Sequence, residues 1–440
     1  MHELTRLIQA DMKVSLGVTE PGAIALAASR ARSLAPGEVT RVLLEVNSGI
    51  YKNAFTCGIP GTEETGNLFA AALGVTAGDW TKGLASLSVI GPEQLDEARR
   101  LIREKKVEVR VHEVSSALFI RVTVETQTDC AQAVIEGRHD QITRLTQNGV
   151  VLEEKNGPDG AEAKPPKTAG TAKEEPADSS AVTGYTVSQF WDYIHTVPAE
   201  EIGMIREAYR INLALMEEGA ENAGAPLCKV FLEQNGGALC SGDCRLTEQA
   251  MTAAAIEARV RGFDRPAMSI TGSGNHGILC TVPLHAYAKV NGLSEESLLR
   301  ATALSYLITM YIKEYSGKLS AFCGCAIAAG CGAAAGLLFL SGGSREQLDL
   351  VIRNFASSIT GMICTGGNPA CVMKASTAVD TANWAVKLAL ENRAVEPQHG
   401  ICAATPEQTM RNMGLIASPG MEETEKTILE ILEEKSRGIQ

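Results

Sequence analysis

Cys323-Gly324-Cys325, Cys331, Cys364 and Cys371 gather five of this chain's twelve cysteines between positions 323 and 371. Their setting is nearly free of charge and rich in small residues: Leu319-Ser-Ala-Phe-Cys-Gly-Cys-Ala-Ile-Ala-Ala-Gly-Cys, then Gly361-Met-Ile-Cys-Thr-Gly-Gly-Asn-Pro-Ala-Cys. Thiolates at two sequence-distant places, among residues that let backbone approach closely, are what an iron–sulfur cluster needs. Six residues including Gly-Gly and Asn-Pro separate Cys364 from Cys371, so the chain can turn back and aim both sulfurs inward. Cys325 lies near the expected start of a helix, where the dipole favours a thiolate. Three protein ligands would leave one iron of a [4Fe–4S] cluster open as a Lewis acid toward a hydroxyl or thiol. Cys323 and Cys331 are the alternative ligands. The competing readings are buried packing thiols, or zinc, which the absence of any CxxC pair disfavours. The seven remaining cysteines read as packing thiols.

A second group of polar residues sits in glycine-rich or tight turns. Gly272-Ser273-Gly274-Asn275-His276-Gly277 could hold a carboxylate on exposed backbone N–H groups, with Ser273, Asn275 and His276 adding side chains. The same loop also reads as a plain helix connection, and with no strand expected before it, it is not a dinucleotide fingerprint. Thr19-Glu20-Pro21, Asn47-Ser48-Gly49 with Lys52-Asn53, and Gly58-Ile59-Pro60-Gly61-Thr62 are further polar turns. Taken singly, Glu20 is a favourable charge at a helix start and Lys52 a solvated cation.

These residues need elements to position them. At 440 residues, two domains are expected. Lys155 to Ser180 has no Leu, Ile, Val or aromatic residue and is expected to be a flexible linker. The division is residues 1–153 as an α+β domain contributing polar active-site loops, 154–184 as linker, and 185–440 as an all-α domain carrying the cysteines. In the first part, Leu4–Lys13, Pro21–Leu34, Glu64–Leu73 and Pro92–Lys105 have helical spacing. Val39–Glu45, Tyr51–Cys57, Leu84–Ile90, Val107–Val111 and Leu118–Glu125 have strand character. Ile142–Leu145 and Val150–Glu153 flank Asn148-Gly149, a hairpin signal. In the second, Val187–Thr196, Ala199–Glu218, Leu246–Arg261, Ser294–Tyr315, Gly324–Phe339, Arg345–Ile359 and Ala375–Glu391 read as helices. The uncharged run from Leu319 to Ser344 reads as a buried central helix rather than a membrane span.

A net charge of −12 argues against nucleic acid or an anionic membrane as partner. The polar, periodic start, Met-His-Glu-Leu-Thr-Arg, lacks the apolar run of a signal peptide, so a cytoplasmic location is expected. A homodimer is compatible with the low aromatic content and helical second half.

Together, Ser15-Leu-Gly-Val-Thr-Glu-Pro21, Asn47-Ser-Gly49, Gly58-Ile-Pro-Gly-Thr62, Thr271-Gly-Ser-Gly-Asn-His-Gly277, Leu319-Ser-Ala-Phe-Cys-Gly-Cys325 and Gly361-Met-Ile-Cys364 resemble the L-cysteine desulfidase family, which is related to the α-chain of iron–sulfur L-serine dehydratases. The resemblance implies a PLP-independent β-elimination on a small amino acid such as L-serine or L-cysteine, giving a 2-oxo acid and ammonia with a [4Fe–4S] cofactor. It implies Cys325, Cys364 and Cys371 as cluster ligands, with Cys323 as alternative. Thr19, Ser48, Lys52, Asn53, Ser273, Gly274 and Asn275 would bind substrate, and Glu20 or His276 would move the proton. Three places depart from the family pattern. Val18 stands where cysteine is usual, Cys364-Thr365-Gly366-Gly367-Asn368 replaces Cys-Asp-Gly-Ala-Lys, and His276 stands where glutamine is common. Two rival readings are a cluster- or ligand-binding sensor without turnover, and a related hydro-lyase acting on a different hydroxy acid.

Overall fold

Alternating burial along the inner strands lays one face of a six-stranded sheet against helices. The computed structural model describes residues 1–115, 117–155, 181–222, 224–317 and 319–439. The architecture is α+β, a sheet with helices followed by a mostly helical region. The first half runs α1 (Glu3–Asp11), β1 (Lys13–Leu16), α2 (Thr19–Leu34), β2 (Val39–Asn47), α3 (Ser48–Ala54), α4 (Gly66–Thr76), α5 (Pro92–Arg103), β3 (Val107–Glu113), β4 (Phe119–Thr126), β5 (Cys130–Glu136), β6 (Ile142–Gln147) and β7 (Val150–Glu154). The large sheet has the order β3-β2-β4-β5-β6-β7; β2 and β3 are parallel and the other neighbours antiparallel. Asn148 and Gly149 both adopt positive φ, which closes the expected β6–β7 hairpin.

The second half runs α6 (Val187–Thr196), α7 (Ile205–Glu221), α8 (Pro226–Gln234), α9 (Cys244–Arg261), β8 (Pro266–Ser269), α10 (Gly274–Asn291), α11 (Glu295–Ser316), α12 (Gly330–Leu340), α13 (Arg345–Ile359), α14 (Ala370–Leu390), α15 (Pro406–Ala417) and α16 (Glu422–Ile439). Small residues set the helix spacing: a methyl on Gly332 of α12 would stand 2.3 Å from the Thr309 hydroxyl of α11. One continuous buried core includes Val42 of the sheet and Leu304 of the helices. Among the described residues, no helix is long and apolar enough to cross a membrane.

Several elements differ from the sequence expectation. Tyr51–Cys57 is not a strand; α3 occupies it, because Ile50, Tyr51 and Ala54 are buried at helical spacing beneath α16. Leu84–Ile90 is likewise no strand: a 3₁₀ turn over Trp80–Ala85 leads into an irregular segment. The region after 185 is not wholly helical either. Strand β8 pairs antiparallel with β1, stitching the two halves together immediately before the glycine-rich loop. The expected linker falls mainly on residues 156–180, outside the described residues.

Glu248, wholly buried on α9, accepts from the Asn383 side-chain amide at 2.6 Å, while its Oε1 has no partner. Burial raises its pKa from 4.5 to about 8. The folded chain therefore keeps a proton that the unfolded chain releases, so this group's contribution to stability falls as pH rises from 4.5 to about 8, then levels. Glu248→Gln should remove that slope and gain stability over wild type by a few kcal/mol at pH 9, at about 1.4 kcal/mol per pKa unit. Urea midpoints of both proteins from pH 5 to 9 would check it; parallel profiles would mean that Glu248 ionises normally.

Candidate active site

Two cysteine-bearing segments are joined by backbone pairing. Phe322 and Ile363 form an antiparallel bridge, with Cys323 N donating to Met362 O at 3.0 Å and Cys364 N to Ala321 O at 2.5 Å. Cys325 then opens a π-helical turn over Cys325–Ala329 that runs into α12. After Cys364 the chain reverses through Gly366, whose φ of +94° suits glycine and whose added methyl would meet Lys52 O at 2.3 Å. Asn368 closes this turn: its amide donates to Thr365 O at 2.9 Å and its carbonyl accepts from Ala370 N at 3.0 Å. That delivers Cys371 to the first turn of α14. The neutral Asn368 thus serves the turn itself.

Cys323, Cys325, Cys364 and Cys371 line one cavity of about 80 Å³, and Cys331 is buried in α12 away from that wall. Burial holds the Cys323 thiol up at about 12, with Cys364 and Cys371 adding to the rise; Cys325 and Cys371 are raised for the same first reason. Thiols raised in this way, as Cys323, Cys325 and Cys371 are, make poor nucleophiles, but a cationic centre among them would reverse that preference. Among the described residues, no three His, Cys, Asp or Glu side chains close around the position of a single ion. The donor set instead suits a polynuclear cluster, which presents several metal atoms and asks for more widely spaced soft ligands.

The opposite wall comes from the polar turns. Glu20, in the first turn of α2, accepts from the Asn53 side-chain amide of α3 at 2.8 Å, and both line the cavity with Ser273, Asn275 and His276. Thr271 Oγ1 lies 2.6 Å from His276 Nδ1. Burial first, then Lys313 and Arg259, pull His276 well below its ordinary pKa, so it is neutral at pH 7. The loop glycines mostly permit close packing. A methyl on Gly274 would stand 2.3 Å from Arg259 Nε, and one on Gly277 1.9 Å from Met268 O. Gly274 therefore backs the wall without lining it.

Other expected residues lie elsewhere. Thr19 turns its hydroxyl to Arg259 Nη2 at 3.3 Å and lines a neighbouring cavity. Ser48 lies 3.3 Å from Ser115 O, in a separate groove. Lys52 is not solvated: its wholly buried ammonium donates to Ser320 O at 2.9 Å and pairs with Glu425 of α16 at 2.5 Å. It braces the irregular segment leading to Cys323 and is absent from the cavity wall.

Sequence reasoning missed Arg259 and Lys313, two buried cations on the cavity wall. Arg259 donates to Asn275 Oδ1 at 2.9 Å as well as to Thr19. Burial lowers Lys313 to about 8 despite the raising influence of Cys364 and Cys323. The available signal was a cation following a largely apolar stretch: Ala253-Ala-Ala-Ile-Glu-Ala-Arg259 and Leu307-Ile-Thr-Met-Tyr-Ile-Lys313.

Gly324 lies against this wall. A methyl there would stand 2.7 Å from His276 Nε2 and 3.4 Å from Lys313 Nζ. Gly324→Ala should displace the imidazole, cut turnover by about 10–100-fold and cost about 1–3 kcal/mol of stability through overpacking. Steady-state kinetics beside a melting curve would check it; unchanged kinetics would mean that the imidazole has room to yield.

A serine dehydratase alpha chain model matches residues 88–430. A UPF0597 protein of Clostridium botulinum (strain Okra / Type B1) is 39% identical over 435 residues, covering 99% of both chains. UPF0597 proteins of Caldanaerobacter subterraneus subsp. tengcongensis and Aeromonas hydrophila subsp. hydrophila are each 34% identical, covering 98% of this chain and 98% and 96% of theirs. The chain belongs to the serine dehydratase alpha chain family and groups there with the UPF0597 proteins.

Proposed function

We propose that this protein is a [4Fe–4S]-dependent lyase that removes the α-proton and the β-hydroxyl or β-thiol of a small amino acid such as L-serine or L-cysteine. The aminoacrylate product hydrolyses to a 2-oxo acid and ammonia. The observation that carries this reading is the convergence of four cysteines from two sequence-distant segments on one cavity walled by the glycine-rich loop, within this family. Cys325, Cys364 and Cys371, with Cys323 as alternative, would hold the cluster, which would supply Lewis acidity at the leaving β-substituent.

The chain's own groups take the remaining tasks. Arg259, Lys313 and the start of α10 place positive potential beside the substrate carboxylate. Ser273 and Asn275 offer hydrogen bonds that orient it. Glu20, held by Asn53, takes the α-proton. His276 is too weakly basic for that role and serves as a neutral hydrogen-bonding partner. Val18, buried on the same wall, contributes only apolar surface there.

Anaerobic reconstitution with iron and sulfide, followed by ammonia and 2-oxo-acid assays on L-serine and L-cysteine, tests the reading. Release of both products only from iron-replete protein is expected. An iron-replete protein inert toward both would favour cluster binding without this turnover, a reading the apolar Val18 also supports.

A further inference from the structure

A second cavity of about 280 Å³ adjoins the cysteine cavity. The two share His139, Thr271, Gly272 and Lys313, so the wall between them is one layer of residues thick. The outer end of the second cavity reaches solvent. Lys13 is exposed there, and the Arg138 and Asp140 side chains are 48% and 40% accessible. Charges alternate around this mouth: Arg138 pairs with Asp140 at 3.1 Å and also feels Asp11, while Asp140 feels Lys13. Asp11 in turn accepts from Thr271 N at 2.5 Å, tying the mouth to the shared wall. On the inner cavity Glu20, Arg259, Asn275, His276, Cys323 and Cys325 are buried while Asn53, Ser320 and Cys364 are half-buried, so the second cavity is the approach that leads past the glycine-rich loop to the buried groups.

We propose that the second cavity is the access vestibule of the active site, receiving a small zwitterionic amino acid and passing it across the Thr271–Gly272 sill into the cysteine cavity. This rests on the lyase reading for the identity of the traveller, but not for the existence of the route. Paired opposite charges at the mouth suit a molecule carrying an ammonium and a carboxylate better than a simple anion or cation. The sill is low because position 272 has no side chain; a methyl there would already come within 3.6 Å of His139 Nδ1.

The test uses access, not turnover. Leu84→Trp and Lys13→Trp each place bulk in the vestibule without touching the cysteine cavity, and the exposed Lys13 tolerates replacement even where Leu84→Trp misfolds. Metal-free, full-length protein is treated with methylmercury chloride, whose affinity for sulfur is high enough to displace the proton of an un-ionised thiol, and labelling of Cys323 and Cys325 is followed by peptide mass spectrometry. The exposed Cys130 serves as an internal control. Both buried thiols should label about tenfold more slowly in the folded variants, as expected for an obstructed approach, while Cys130 is unchanged. Wild-type rates at Cys323 and Cys325 in the variants, or complete protection of both in the wild-type chain, would overturn the vestibule. A wild-type protein that labels through it but consumes neither L-serine nor L-cysteine would sink the lyase reading and leave the route standing.

Discussion

Cys364→Ser should strip the reconstituted protein of most of its iron and lower turnover by more than about 100-fold, while its melting temperature moves little. The asymmetry follows from where the residue sits. Its side chain is only partly buried and contributes little packing, whereas its backbone is held by Ala321 O regardless of side chain. Serine keeps the shape but replaces a soft thiolate by a hard, weakly acidic hydroxyl. Cys331→Ala makes the opposite prediction. That thiol is wholly buried in α12 and absent from the cavity wall, so its loss should cost about 1 kcal/mol of stability and leave iron content intact. Iron analysis and the absorbance of thiolate-to-iron charge transfer, measured beside a melting curve, separate the two. Full iron content in Cys364→Ser would remove this residue from the ligand set. The same measurement on Cys323→Ser and Cys325→Ser decides which member of that pair binds metal.

The cysteine grouping was legible because ligation constrains residue type directly, and thiols between small residues have few other uses as a group. Geometry from distant sequence was not legible. Lys52 looked like a solvated cation after a turn, and only the fold reveals Glu425, 373 residues away, as its partner. Tyr51–Cys57 has the β-branched and aromatic flavour of a strand, yet α16 covers one helical face of it, and that burial outweighs local propensity. The four-residue β8 is too short to announce itself; pairing with β1 defines it. The glycines of the 272–277 loop suggested an anion nest. For Gly274 and Gly277 the constraint is steric, set by Arg259 and by the β8 backbone, neither of which adjoins them in sequence, and for Gly272 it is a φ of +77°.

Arg259 is where fold and site share one side chain, and its removal should damage both. The guanidinium spans from Thr19 at the head of α2 to Asn275 at the head of α10, wholly buried, with Glu20, Cys57, Cys371 and Cys325 as its electrostatic neighbours. Methionine in its place keeps much of the volume but leaves the Glu20 carboxylate buried without its nearby cation. With the hydrogen bonds to Thr19 and Asn275 also lost, that should cost about 2–4 kcal/mol, at about 1.5–3 kcal/mol for a hydrogen bond to a charged group, and at least a 100-fold loss in kcat/KM, about 2.7 kcal/mol of transition-state stabilisation. Arg259→Lys distinguishes charge from geometry. An ammonium restores the positive potential, yet it lacks the planar fork that reaches Asn275 and Thr19 together. Stability should therefore recover in part while kcat/KM stays low. Urea midpoints and kcat/KM for the two variants give four numbers that bear on one bridge. Wild-type kcat/KM in Arg259→Lys would mean that charge alone suffices, and an unchanged urea midpoint in Arg259→Met would mean that the Asn53 amide alone satisfies Glu20.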